Sequence, residues 1–142
     1  MVVYYINSSV DSSIKIYNER SLNFIGEIIH TLEQHRPESS MAIISPFRET
    51  VKKLQSEFQT DKRVLKDLTI ETIDRIQGMT VDYAILYLPA GGSSFALDER
   101  RFNVATSRSL STTLIITDVR LERLAKFRGK VRSFIMASEQ ID

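Results

Sequence analysis

The 142-residue sequence contains no cysteine, which excludes disulfides and thiolate metal sites and agrees with a reducing, intracellular setting. No apolar run approaches the ~20 residues that a membrane-spanning helix needs, and the N-terminus has no signal-peptide pattern. We therefore expect a cytoplasmic protein that has no membrane partner.

Glycine-rich phosphate-binding signatures are absent as well. The pair Gly91-Gly92 is followed by serines rather than by lysine, so the loop that cradles phosphates in P-loop proteins has no counterpart. There is no G-x-G-x-x-G fingerprint and no acidic phosphoacceptor cluster, which argues against a Rossmann-like or a response-regulator-like domain. The chain is therefore not expected to hydrolyse a nucleoside triphosphate unaided.

The residues that are present describe an ordinary globular domain. Apolar residues make up 42% of the chain and charged residues 26%, and the formal net charge is +1. Charge is uneven in one place, because residues 119–133 carry six basic side chains against one acid. That run is either a patch that faces phosphates or a solvated helix face.

Short apolar runs alternate with segments of helical period, which predicts a single α/β domain over residues 1–142 with a mainly parallel sheet. Leu22, Ile25 and Ile29 recur at helical spacing and predict a helix over Glu19–His35. The pattern predicts about five strands, at residues 2–6, 41–45, 68–73, 82–88 and 112–117. It predicts three further helices, one after Pro46, one over residues 98–108 and a closing one that Gly129 ends.

The first candidate segment follows the second predicted strand. Pro46 keeps Ser45 out of helical geometry, so the strand should turn sharply into a helix with Phe47 and Arg48 at the corner. An aromatic ring there can stack on a base, and a guanidinium can reach a phosphate. The alternative is a simple turn in which Phe47 packs into the core.

The second segment, residues 72–82, places hydroxyls, an acid, an amide and a glycine between two predicted strands. Gly78 permits a close backbone approach, and Gln77 can both donate and accept hydrogen bonds. The alternative is a polar turn in which Asp74 caps a helix that starts near Arg75.

In the third segment, residues 100–108, Arg101 and Arg108 share one face of the predicted helix with small apolar residues. Such a face suits a partner that carries phosphate, although ion pairs to Asp98 and Glu99 on a surface helix are the alternative. Because ligands bind at the carboxyl ends of strands in open α/β sheets, we expect all three segments to meet on one rim.

In this order and spacing, the segments resemble motifs IV, V and VI of superfamily 1 helicases, near the branch of the nonsense-mediated-decay helicase. Motif V of the family commonly reads T-x-D-x-x-Q-G, with a glutamate often two residues after the glycine, where this chain has Thr80. The matching residues are Ser45-Pro46-Phe47, then Thr72, Asp74, Gln77 and Gly78, then Asn103-Val104-Ala105 with Arg108.

The resemblance implies a RecA-like, P-loop NTPase-type three-layer domain that is the second motor domain of an ATP-dependent helicase. It implies that Arg108 is an arginine finger on the γ-phosphate and that Phe47 stacks on adenine. Gln77 and Gly78 would contact the nucleotide and couple it to nucleic acid, with Arg48 and Arg101 as weaker phosphate or cleft contacts. Contacts that couple to nucleic acid would come from Ser45, Pro46, Thr72, Asp74 and Thr80.

The resemblance also implies what must come from elsewhere. ATP and Mg²⁺ would be held mainly by the N-terminal RecA-like domain of the same protein, which this sequence lacks. The remaining partner would be single-stranded DNA or RNA, with DNA the first expectation. The alternative function is a non-catalytic RecA-like module that binds nucleic acid or a protein.

Overall fold

A six-stranded sheet, in the order β3-β2-β4-β5-β1-β6, forms the centre of the fold. The computed structural model describes residues 2–5, 17–60, 64–65, 67–89, 104, 107–117 and 139–141, with the backbone alone at 2–5, 111, 117 and 139–141. The strands are β1 (Val2–Tyr5), β2 (Met41–Ser45), β3 (Leu68–Thr72), β4 (Val81–Leu88), β5 (Ser109–Thr117) and β6 (Glu139–Ile141). Every pairing between them is parallel.

The helix α1 spans Glu19–His35, as the apolar spacing predicts. Asn18 caps it, because its side-chain oxygen accepts a hydrogen bond of 2.8 Å from the backbone N–H of Arg20. The helix buries Leu22, Ile25 and Ile29 against the sheet. The prediction of an amphipathic helix in this position is confirmed.

The helix α2 spans Arg48–Phe58 and follows Pro46, also as predicted. Its buried positions Val51, Leu54 and Phe58 join those of α1 in one core cluster. The side-chain amide of Gln55 donates to the carbonyl of Ile70 at 2.9 Å, which attaches α2 to β3. Residues of the opposite strand parity, such as Ile44 and Leu86, are fully buried too, so both faces of the sheet are covered.

Three boundaries differ from the prediction. The strand β5 begins at Ser109, three residues earlier than expected, and β4 begins at Val81, one residue earlier. The strand β3 ends at Thr72, because Ile73 enters a 3₁₀ turn. The short strand β6, paired with β1, was not predicted. The closing helix, the loop beyond Pro89 and the basic run at 119–133 lie outside the described residues. No helix in the described ranges is both long and apolar enough to cross a bilayer.

We expect the start of α1 to depend on Tyr87 in β4. The backbone N–H of Asn18 donates to the Tyr87 hydroxyl at 3.0 Å in a buried position. Substituting Tyr87→Phe leaves that N–H without this acceptor and should lower the free energy of unfolding by about 1–3 kcal/mol. Urea denaturation measures the change. Tyr83→Phe, on the same strand but half-buried, is the control and should stay within about 0.5 kcal/mol of the parent; equal losses would contradict the assignment.

Candidate functional site

Polar and aromatic side chains follow the carboxyl ends of β2 and β3. Ser45 and Thr72 are the last residues of these strands and lie side by side in the register. We call the set that these two residues form with the residues after them the carboxyl-edge group. Its members are Ser45, Pro46, Phe47, Arg48, Thr72 and Asp74.

The strand-to-helix corner holds Phe47 at the N-cap position of α2, with extended backbone (φ −108°, ψ 125°). Its carbonyl accepts the first helical hydrogen bond, from the N–H of Val51 at 3.0 Å. Phe47 is half-buried and Arg48 is exposed, whereas Pro46 is buried. Ser45 is fully buried, and its hydroxyl has no hydrogen-bond partner among the described residues. The corner therefore offers an aromatic ring and a guanidinium at the surface.

Residues 73–80 connect the carboxyl end of β3 to the amino end of β4 and pass β2 on the way. The connector begins with the 3₁₀ turn Ile73–Arg75 and is anchored by Ile73 and Ile76, both fully buried. Neither isoleucine belongs to the core cluster that α1 and α2 form with the sheet. Gln77 and Gly78 are exposed near its end, and Gly78 has φ of 86°.

A second set of residues lies at the amino ends of β4 and β5. Val81 is paired with Ser109, and the N–H of Val81 donates to the carbonyl of Arg108 at 2.8 Å. Thr80 and Arg108 therefore enter neighbouring strands next to each other. We call Thr80, Ser107, Arg108 and Ser109 the amino-edge group.

The guanidinium of Arg108 is only partly satisfied within the described residues. One terminal nitrogen donates to the hydroxyl of Ser107 at 2.9 Å, and that hydroxyl donates in turn to the carbonyl of Val104 at 3.3 Å. The Nε of Arg108 is buried and has no hydrogen-bond partner in the part of the chain that the structure describes. The bond between the terminal nitrogen and Ser107 is exposed, so that end of the guanidinium can be reached by an anionic oxygen.

A bulge in β5 lies directly beside Arg108. The register passes from Val81↔Ser109 to Tyr83↔Thr112, so β5 has one more residue than β4 over this stretch. The hydroxyls of Ser109 and Thr113 are hydrogen-bonded at 2.6 Å, and Leu110 is left 74% exposed. Bulges of this kind are common next to functional sites, because they redirect side chains.

The prediction that the three segments share one rim is wrong. Ser45 lies level with Tyr87 when the β2–β4 register is continued by one residue, whereas Ser109, the residue after Arg108, lies level with Val81. At about 3.3 Å per strand residue, the two groups lie roughly 20 Å apart along the sheet. The physical reason is strand direction: Arg108 precedes its strand and Phe47 follows its own, so parallel pairing places them at opposite edges.

The capping role predicted for Asp74 is also wrong. The segment forms a single 3₁₀ turn rather than a helix from Arg75, and Thr72 occupies its N-cap position without a side-chain cap bond. Asp74 is instead an exposed residue in the first turn. Arg101 lies outside the described residues. Within the described ranges, no three His, Asp or Glu side chains are clustered closely enough to hold a metal ion.

Two contributors to the amino edge were not identified from the sequence. Ser107 holds the Arg108 side chain, and Asp82 is hydrogen-bonded to Ser40 across 42 residues of chain. The only available signal was the position of Asp82 two residues after Thr80, at the end of the second candidate segment. Its partner could not be read from that pattern.

Comparisons with known proteins agree with this architecture. A family model described as an AAA domain, AAA_12, matches residues 4–120. The chain is also similar to the crystal structure of the C-terminal domain of a possible DNA helicase from Lactobacillus plantarum WCFS1. That match has a TM-score of 0.58 at 15% sequence identity and covers 99% of this chain and 84% of the other. At this identity the likeness shows the fold alone.

The backbone at Gly78 generates a prediction about stability. A Cβ added there would meet no atom within 4 Å, so the positive φ is the only obstacle to a side chain. Gly78→Ala should therefore lower the free energy of unfolding by about 1–2 kcal/mol, the cost of the left-handed region for an L-residue. Gly78→Asn should cost less, because asparagine enters that region more readily. Equal losses in urea denaturation would show that something other than backbone conformation is responsible.

Proposed function

The chain belongs to the AAA_12 family, a family of helicase C-terminal domains, and on that premise we propose that it is the second motor domain of an ATP-driven superfamily 1 helicase. In this proposal the amino-edge group completes an ATP site on a partner motor domain. The carboxyl-edge group contacts a nucleic-acid strand. The two groups thus have separate ligands, in place of the shared nucleotide that the sequence predicts.

The main support for the proposal is the hydrogen bonding of the Arg108 guanidinium. Its guanidinium lies just before β5, with one nitrogen held by Ser107 and with no partner among the described residues for the buried Nε. Arginine binds phosphate oxygens through parallel N–H bonds and keeps its charge at any physiological pH. Arg108 is therefore suited to stabilise the charge that develops on a transferred phosphoryl group. Thr80 precedes β4 as Arg108 precedes the neighbouring strand β5, so in this proposal Thr80 contacts the same nucleotide.

The carboxyl-edge group has the chemistry of a single-strand contact. Phe47 is half-buried, so its ring is held while part of it stays accessible for base stacking. The exposed Arg48 in the first turn of α2 and the hydroxyl of Thr72 can reach backbone phosphates. We propose DNA as the first ligand to test, since the structurally similar protein is described as a possible DNA helicase.

The connector 73–80 gives this arrangement a means of coupling. It starts at Thr72 in one group and ends at Thr80 in the other, and two buried isoleucines fix it to the sheet. Gln77 and Gly78 lie in its exposed part, closer to the amino edge. A shift of Thr80 when nucleotide binds is therefore transmitted along eight residues to the strand contact.

The phosphate loop and the Mg²⁺ ligands belong, in this proposal, to the other motor domain. ATP would bind between the two domains, and closure of the cleft would bring Arg108 to the γ-phosphate. The side chains of this chain contribute positive charge and position, and they do not bind the metal. The isolated chain should accordingly fold without showing ATPase activity.

The central test is Arg108→Ala in the intact protein that contains both motor domains. Loss of an arginine finger should lower kcat for ATP hydrolysis by about 10³–10⁵-fold. Binding of a fluorescent ATP analogue should persist, because the phosphate loop lies on the other domain. The matched control is Arg36→Ala, an exposed arginine after α1. Unchanged hydrolysis in Arg108→Ala would remove the finger role.

A separate test distinguishes the two edges. Phe47→Ala should weaken single-stranded DNA binding by about 5- to 100-fold, which corresponds to the loss of one base–aromatic stack. The Michaelis constant for ATP should stay the same, since the nucleotide lies at the other edge. Phe47→Tyr preserves the ring and should restore binding. A raised Michaelis constant for ATP with unchanged DNA affinity would instead indicate that Phe47 stacks on adenine.

A further inference from the structure

We propose that Asp82 and Ser40 form a positioning clamp that sets the location of Thr80 and Arg108 for catalysis. This inference rests on the proposed function and deepens it, because it assigns residues that hold the finger rather than touch the nucleotide. The clamp joins the loop before β2 to the start of β4, next to the amino-edge group.

The geometry of the clamp is reciprocal. Oδ2 of Asp82 accepts from the backbone N–H of Ser40 at 2.9 Å and from the Ser40 hydroxyl at 3.1 Å. The backbone N–H of Asp82 contacts the same hydroxyl at 2.9 Å. A fourth bond, from the N–H of Tyr83 to the carbonyl of Ser40, is 3.1 Å long. Each residue thus donates hydrogen bonds to the other. The bonds are half-buried, and hydrogen bonds to a charged acceptor are strong.

The clamp is continuous with Arg108 through one residue. Val81 lies between Thr80 and Asp82, and its N–H donates to the Arg108 carbonyl at 2.8 Å. Just beyond this bond, the bulge in β5 interrupts the regular ladder, so fewer strand contacts fix the start of β5. The position of the Arg108 backbone therefore depends on Val81, and that of Val81 on Asp82. A displacement of about 1 Å at a catalytic group can cost 10²-fold in rate.

The chain contains a matched comparison. Glu33 in α1 is also a carboxylate that accepts two N–H bonds, from Val64 at 2.7 Å and from Leu65 at 3.0 Å. Both carboxylates connect distant segments, but Glu33 acts near the start of β3, three strands from β5 in the sheet. A purely structural role would make the two residues equivalent.

The experiment compares Asp82→Ala and Glu33→Ala in the intact two-domain protein. We expect both to lower the melting temperature by similar amounts. Only Asp82→Ala should lower kcat, by roughly 10- to 100-fold, with little change in the Michaelis constant for ATP. Ser40→Ala should lower kcat in the same direction, and Ser40→Thr, which keeps the hydroxyl, should restore it. These two variants test the clamp if Asp82→Ala does not fold.

A second readout needs no catalysis. In ¹H–¹⁵N spectra of this chain, the Nε–H signal of Arg108 should shift in Asp82→Ala and remain in place in Glu33→Ala. Equal kcat in the two variants at matched stability, or an unmoved Arg108 signal, would overturn the clamp. Arg108→Ala, measured alongside, separates the two ideas: if it abolishes hydrolysis while Asp82→Ala does not, the clamp fails and the finger stands. If Arg108→Ala hydrolyses ATP normally, the proposed function fails.

Discussion

Because β2, β4 and β5 are parallel, their carboxyl ends all lie along one edge of the sheet and their amino ends along the other. Every residue that follows a strand lies at one edge, and every residue that precedes a strand lies at the other. This polarity places Phe47 with Thr72 and Arg108 with Thr80. The short connector 73–80 has to cross between the edges, and its two buried isoleucines allow it to do so without leaving the surface of the sheet. The site geometry follows from strand direction before any side chain is considered.

At the amino edge, the residues differ in how many of their polar groups are hydrogen-bonded. Asp82 and Ser40 share three hydrogen bonds, whereas the buried Nε of Arg108 has no partner among the described residues. Native structures leave few buried donors unsatisfied, and those that persist concentrate where a ligand, water or strain has a role. In the proposed function, the clamp holds Arg108 in place while the exposed end of its guanidinium stays available to an anion.

Much of the fold could be predicted because local pattern and tertiary environment agree. The apolar spacing of α1 and the corner at Pro46 each depend on a few neighbouring residues, and both predictions are confirmed. The prediction starts β5 at residue 112, where the apolar, β-branched run begins, although a bulge lets Ser109 and Ser111 belong to the strand. The prediction of a single rim is wrong, although the sequence alone indicates that Arg108 precedes its strand whereas Phe47 follows its own. The Ser40–Asp82 contact depends on pairing across 42 residues, which no local pattern reports.

No side chain spans the roughly 20 Å between the edges, so the two groups can influence each other only through the connector 73–80 and the packed strands between them. A soft core would absorb a small displacement at Thr80 before it reached Thr72. Here Ile43, Ile44, Ile85 and Leu86 are at most 2% exposed in the strands between the groups, and close-packed interiors of that kind have low compressibility. We infer that the sheet transmits a displacement as a stiff body, which in the proposed function lets phosphate chemistry at one edge displace a strand at the other.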